Sequence, residues 1–203
     1  MTTVIQQEKQ RNYVKAREIL NDLYQNIDEV FISYFISLTT PRTWRPHLEK
    51  YESDLFKALQ EEEYSIPEIE ERIAEKDHIF SDGEFQVQTK TKNLRKILAP
   101  GNFENVQAKN AVKIVYDSWE SLYRPMLEEL LGEKLQSDIW GDLGYLRHSI
   151  THRNSKGTDK IKNTKLIKNF IPGQEIILTP TIMEKIRQEL ENWYTEFLMK
   201  HFS

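Results

Sequence analysis

The stretch that decides how this chain is read is Trp140-Gly-Asp-Leu-Gly-Tyr-Leu-Arg147-His-Ser-Ile-Thr-His152-Arg-Asn-Ser-Lys-Gly157. Plotted as a helix at about 100° per residue, Ile139, Leu143, Leu146 and Ile150 fall within about 60° of one another and are expected to face a core. Ser137, Gly141, Gly144, His148, His152 and Ser155 lie on the opposite side. A glycine inside a helix costs about 1 kcal/mol relative to alanine, so two on an outward face predict that another backbone approaches closely there. Two histidines continuing the same face predict a polar cleft at that approach. Because the core claims the other side, the approaching element is expected to be a second copy of the chain, with Gly141, Gly144 and Tyr145 as the dimer face. The same plot sets Arg147 and His152 roughly 140° apart. Either the helix ends between them, or Arg147 meets the histidine of the partner chain.

Helical spacing continues in both directions. Ala108, Val112, Val115, Trp119, Leu122, Met126 and Leu130 form a core stripe, with Pro125 expected to kink that helix or start a new one ending at Gly132. Leu20, Leu23, Ile27, Val30, Tyr34 and Leu38 mark a long N-terminal helix stopped near Pro41. A second helix is expected to open near Arg45-Pro46, carrying Leu48, Tyr51, Leu55 and Leu59. Ser65 and Glu68 fit a capping box, with Pro67 in the first turn and Ile66, Ile69 and Ile73 as the stripe. Asp82-Gly83 reads as a turn, and Leu94, Ile97 and Leu98 end a weak helix. Beyond a basic connection, Ile176 to Leu178 reads as a brief extended piece. Thr181 with Glu184 caps a last helix bearing Ile182, Ile186, Leu190, Trp193 and Phe197. The sum is an all-α, mostly antiparallel bundle. Residues 1–103 are expected to supply N-terminal helices and an insertion, and 104–203 the core that carries the motif, within a single helical domain 1–203.

Composition narrows the chemistry. The 203 residues include no cysteine, which excludes disulfides, thiolate metal sites and cysteine nucleophiles. No apolar run is long enough to span a bilayer, and Met1 to Gln10 is polar, so a cytoplasmic, non-membrane protein is expected. The net charge of −4 gives no global basic footprint for nucleic acid. Charge is uneven, though: Arg147 to Lys168 holds Arg147, Arg153, Lys156, Lys160, Lys162, Lys165 and Lys168 against the single acid Asp159.

Arg147-His148-Ser149-Ile150-Thr151-His152 resembles the motif of the HEPN family: an arginine, a polar residue, a few variable positions, then histidine, near the end of a helix with Gly157 shortly after. The phrase Phe170-Ile-Pro-Gly-Gln-Glu-Ile176 before a closing amphipathic helix is also similar to stand-alone members. The resemblance spans about Glu104 to His201. It implies a HEPN-like antiparallel helical bundle with an N-terminal helical extension, and RNA cleavage without metal or cofactor where two subunits meet. On that reading His152 transfers protons, Arg147 clamps phosphate, and His148 orients them or acts as a second acid or base. Arg153, Asn154 and Lys156 hold the flanking RNA backbone, and lysines 160 to 168 add salt-sensitive attraction. A toxin, stress-response or phage-defence role follows, with RNA, a second copy of the chain and an antitoxin protein as partners. Some family toxins carry a modified tyrosine two residues after the motif histidine; Asn154 stands there instead, which argues against that control.

Blander readings stay open. The four-residue spacing of His148 and His152 also suits solvated histidines, or two imidazoles on a metal, although Ser149 replaces the glutamate of a zinc-protease helix. The lysine run also fits a solvated loop. Trp44 and Trp140 read as buried packing or as interface anchors. The alternative function is a non-catalytic HEPN-fold binding or scaffold protein of a toxin–antitoxin or defence complex.

Overall fold

The computed structural model describes residues 2–81 and 86–202. Among these the chain is mostly helical: α1 (Thr2–Ser37), α2 (Thr39–Glu61), α3 (Ile66–Glu75), α4 (Thr91–Leu98), α5 (Asn102–Ser118), α6 (Arg124–Leu131), α7 (Asp138–His152) and α8 (Pro180–Phe202). It divides into two compact units, one formed by the residues up to Phe35 together with those from Asn105 onward, the other by Ile36–Glu104.

In the first unit, Ala16, Leu20, Leu23, Ile27, Phe31 and Tyr34 form the buried seam of α1. Phe31 takes the place expected of Val30, because a three- or four-residue step from Ile27 reaches either position. α1 is tied to α8 by the stacked rings of Tyr24 and Tyr194, 4.3 Å apart, and by the Tyr194 hydroxyl donating to Asn21 Oδ1 at 2.8 Å. α8 is capped by Thr179, whose hydroxyl accepts the Ile182 N–H at 3.3 Å, with Pro180 in the first turn. The cap thus lies two residues before Thr181, where proline's fixed φ suits the helix entry.

The stripe read through α5 departs from the expected register at a π-helical turn, Trp119–Tyr123. Ala108, Val112, Val115 and Trp119 are buried as expected, but Tyr123 and Leu127 then replace Leu122 and Met126, which are 50% and 37% exposed. Pro125 supplies the reason. It has no N–H for the carbonyl four residues back and its ring crowds that turn. One wider turn, closed by the Arg124 N–H on the Trp119 carbonyl, adds a residue and shifts everything downstream by one position. α6 then ends at Gly132 with φ +70°, a left-handed cap.

The second unit starts earlier than its prolines suggest. Only Leu38 separates α1 from α2, Pro41 sits buried in the first turn of α2, and Pro46 lies inside that helix. The capping box at α3 is as expected: the Ser65 N–H and hydroxyl donate to Glu68 at 3.0 and 2.6 Å. Ile69 and Ile73 are buried, while Ile66 is 61% exposed. The all-α expectation holds, and the little strand present is an antiparallel pair of β1 (Asp77–Ser81) and β2 (Gln86–Lys90) with Asp77 opposite Lys90. Ile79 and Thr89 are β-branched within alternating sequence, a strand signal too short to stand out among helices. The Asp82-Gly83 turn lies outside the described residues.

Candidate functional site

α7 owes its placement to both ends of its sequence. The Ser137 hydroxyl accepts the Trp140 N–H at 3.4 Å, and Ile139, Leu143 and Leu146 are at most 1% exposed. Ile150 is half-buried. Two polar residues of α7 are also buried, Asp142 (1% exposed) and Ser149 (0%). The Asp142 carboxylate accepts three successive backbone N–H groups, from Lys165 (2.8 Å to Oδ1), Leu166 (2.7 Å) and Ile167 (2.8 Å). Ser149 donates to the Tyr145 carbonyl at 2.9 Å and accepts the Thr158 N–H at 3.2 Å. The motif helix therefore pins the basic connection that follows it, because burial makes unpaired polar groups expensive.

That connection reverses sharply. Asn154 and Ser155 have φ of +52° and +63°, a left-handed pair that asparagine accepts readily and serine does not. Such strain is held where surrounding bonds over-determine it. Here the Ile176 N–H donates to the Ser155 carbonyl at 2.7 Å, and the Gly157 N–H to that of Gln174 at 2.8 Å. A Cβ on Gly157 would stand 2.7 Å from the Ile171 carbonyl oxygen, so only glycine fits. Ile176 and Leu178 are buried on either side of an exposed Ile177, the alternation of an extended segment.

Arg147 and His152 meet within one chain. Arg147 Nη1 lies 3.3 Å from His152 Nε2. Neither expected route is needed: α7 runs through His152, with Arg153 as its cap, and the long arginine arm covers the gap. Arginine has no lone pair, so the histidine nitrogen facing it is the acceptor. Arg147 Nε donates to Asp117 Oδ1 of α5 at 2.8 Å. Of the five guanidinium N–H groups, two are thus committed and three remain. The His148 ring stands 5.0 Å from that of His152. His148 also lines a groove of about 630 Å³ with Arg153, Lys156, Gly157, Lys160 and Gly173, against one acid, Asp159. Arg153, Asn154 and Lys156 are exposed. Lys165 is less available than expected, since its ammonium holds Asp138 at 2.6 Å.

The two glycines have different surroundings. A Cβ on Gly144 would meet the Tyr116 side chain at 3.0–3.2 Å, so the approach foreseen there is made by α5 of the same chain; Gly141 has nothing within 4 Å. Tyr145 is half-buried. Tyr116 donates to Glu120 at 3.3 Å, and burial first, then the Glu120 charge, push its pKa above the ordinary tyrosine value. It remains a neutral donor beside Arg147. Among the described residues no group of three or more His, Asp or Glu side chains could hold a metal ion, and no helix is long and apolar enough to cross a membrane. Trp140 is buried, stacked on Trp119 at 4.4 Å, whereas Trp44 is 49% exposed.

Sequence reasoning did not find Asp117, Tyr116, Asp142 or Ser149. Asp142 carried a signal, an acid between Trp140 and Leu143 on the core side; Asp117 carried none, since its partner lies thirty positions away. Comparison with protein families, with curated proteins and with solved structures finds no match to this chain.

Proposed function

We propose that this chain is a HEPN-like endoribonuclease that needs no metal or cofactor. The observation that carries the reading is the 3.3 Å approach of Arg147 to His152, whose ring stands 5.0 Å from that of His148 on the wall of a groove bearing Arg153, Lys156 and Lys160. His152 Nε2 takes the proton of a ribose 2′-OH once the guanidinium swings onto the phosphate. The 2′ oxygen bonds to phosphorus, the bond to the 5′ oxygen breaks, and protonated His148 gives that oxygen its proton. The products are a 2′,3′-cyclic phosphate and a 5′-OH end. Arg147 steadies the charge on phosphorus through its remaining N–H groups, while Arg153, Asn154 and Lys156 hold the flanking backbone. A homodimer across the open Gly141 face, control by an antitoxin protein, a cytoplasmic location and a role in toxin, stress or defence systems belong to the same proposal.

The test is cleavage of a mixed RNA substrate in chelator. Activity that disappears in both Arg147→Ala and His152→Ala supports the enzyme; equal behaviour of wild type and variants refutes it. One observation favours a second reading, a non-catalytic HEPN-fold binding protein: Asp117 and His152 already engage Arg147. That reading predicts RNA retention with no cleavage in any variant.

A further inference from the structure

Residues Ile36–Glu104 form their own compact unit. Within them lies a concave cavity of about 470 Å³, walled by Trp44, Leu48 and Tyr51 on one face of α2, Phe80 of β1, and Leu94 and Leu98 of α4. Concave, mostly apolar clefts of this size are the usual form of small-molecule sites. The framing helices are braced by polar ties outside the apolar wall. The Arg45 guanidinium donates twice to the Leu98 carbonyl, at 3.0 and 2.7 Å, and Arg95 grips both oxygens of Glu52 at 2.8 and 3.1 Å. Those ties fix the distance between α2 and α4, and the side chains between them do not fill it.

The lining says what fits. No charged side chain contributes to it, and Arg45 and Arg95 on the framing helices are already committed. A phosphorylated or carboxylate ligand would find no countercharge. The lining residues that carry polar groups are Thr40, His47, His78, Tyr51 and Trp44, and His78 Nε2 is already bonded to Thr91 Oγ1 at 2.8 Å. Trp44 and Phe80 meet edge to face at 5.7 Å and 75°, as do Tyr51 and His78 at 5.1 Å and 66°. Such corners offer one ring face for stacking and one ring edge against it. Trp44 also meets His47 at 6.5 Å and 67°, and its ring stays half-exposed within the cavity. Two turns of a helix about 10–12 Å across occupy on the order of 1,000 Å³, too much for this cavity. Small-molecule sites run from roughly 300 to 1,000 Å³.

We infer that this cavity is a preformed binding site for a small, flat, uncharged aromatic molecule stacked on Trp44. The test titrates the full chain with N-phenyl-1-naphthylamine, an uncharged probe of three aromatic rings, and reads its emission on direct excitation of the probe. Saturable binding of one probe per chain is expected. Trp44→Ala, which removes a half-exposed side chain and leaves the bracing ties in place, should weaken binding by about tenfold or more, equivalent to roughly 1.4 kcal/mol. Ile177→Ala, at an exposed apolar position of the other unit, should leave it unchanged, and excess AMP should not displace the probe. The inference is overturned by no saturable signal, by equal affinity of wild type and Trp44→Ala, or by displacement with AMP. Capture of an amphipathic helical peptide without probe binding would overturn it too. None of these outcomes bears on RNA cleavage.

Discussion

Replacing Asp117 with alanine removes the carboxylate that holds Arg147 Nε at 2.8 Å and leaves the rest of α5 unchanged. The two side chains are 47% and 30% exposed, so solvent screens the pair and its share of stability is roughly 0.2–1 kcal/mol. The melting temperature should therefore fall by no more than ~4 °C. On the proposed ribonuclease reading, catalysis should suffer more. The guanidinium is a long arm on the helix face, and without Asp117 its swing from His152 onto the phosphate is no longer guided. A small misplacement of a catalytic group can cost far more in rate than in stability; losing the guidance alone should lower kcat by about tenfold to a hundredfold, ~1.4–2.7 kcal/mol of barrier. KM should hold steady, because the three unused N–H groups of Arg147 and the lysines of the groove still meet the RNA. Asp117→Asn keeps an oxygen acceptor and should recover most of the rate, which a merely structural role would not require. The assay is a fluorophore-quenched RNA cleaved in chelator, with kcat and KM separated and melting followed by circular dichroism. Wild-type kcat in a folded Asp117→Ala protein, or no rescue by asparagine, would refute the positioning role.

Three further outcomes follow from the packing. Asp142→Asn leaves one amide oxygen where two carboxylate oxygens met three N–H groups; it should destabilise by about 2–3 kcal/mol and speed proteolysis after the lysines at 160 and 162, and a loss below ~1 kcal/mol would contradict that account. Gly141→Ala adds a methyl to open space and should gain up to about 1 kcal/mol of helix stability. A rise in Tm at low protein concentration, with weakened self-association on ultracentrifugation, would identify the dimer face, whereas a fall at low concentration would contradict the open space. Burial first, then the bond to Asp22 at 2.8 Å, push the Tyr123 pKa from 10.0 up to about 12. The raised value means its contribution is intact below pH 10 and lost between pH 10 and 12 as the unfolded phenol ionises first. Urea unfolding of wild type should converge on Tyr123→Phe across that window; a constant difference would rule this out.

Periodicity located most of the helices, because an apolar stripe is written into consecutive turns and needs no distant partner. The capping box before α3 and the Gly132 stop were legible for the same reason. Register beyond Trp119 was not: Pro125 announced a disturbance but could not say whether it would kink the helix, end it or widen one turn. The strands β1 and β2, five residues each, were too short for their alternation to stand out among helical spacings. At the site, Arg147, His148 and His152 could be named from one helix, yet the groups that hold them could not. Asp117 and Tyr116 come from α5, and the 159–167 connection is fixed by a buried acid whose partners are backbone N–H groups, which carry no side-chain signal.

The expected separation of Arg147 and His152 failed for an instructive reason. A helical wheel compares Cα directions, and roughly 140° forbids contact only between short side chains. Arginine carries its donors at the end of a long flexible stem, and His152 is the last residue of α7, beside backbone that has already left the helix at Arg153. Reach therefore overrides angle at a helix end. The same logic explains why Asp117 matters more than a surface pair ordinarily would: a stem long enough to span that gap can also point elsewhere, and a second anchor at Nε selects the direction that brings guanidinium and imidazole to 3.3 Å.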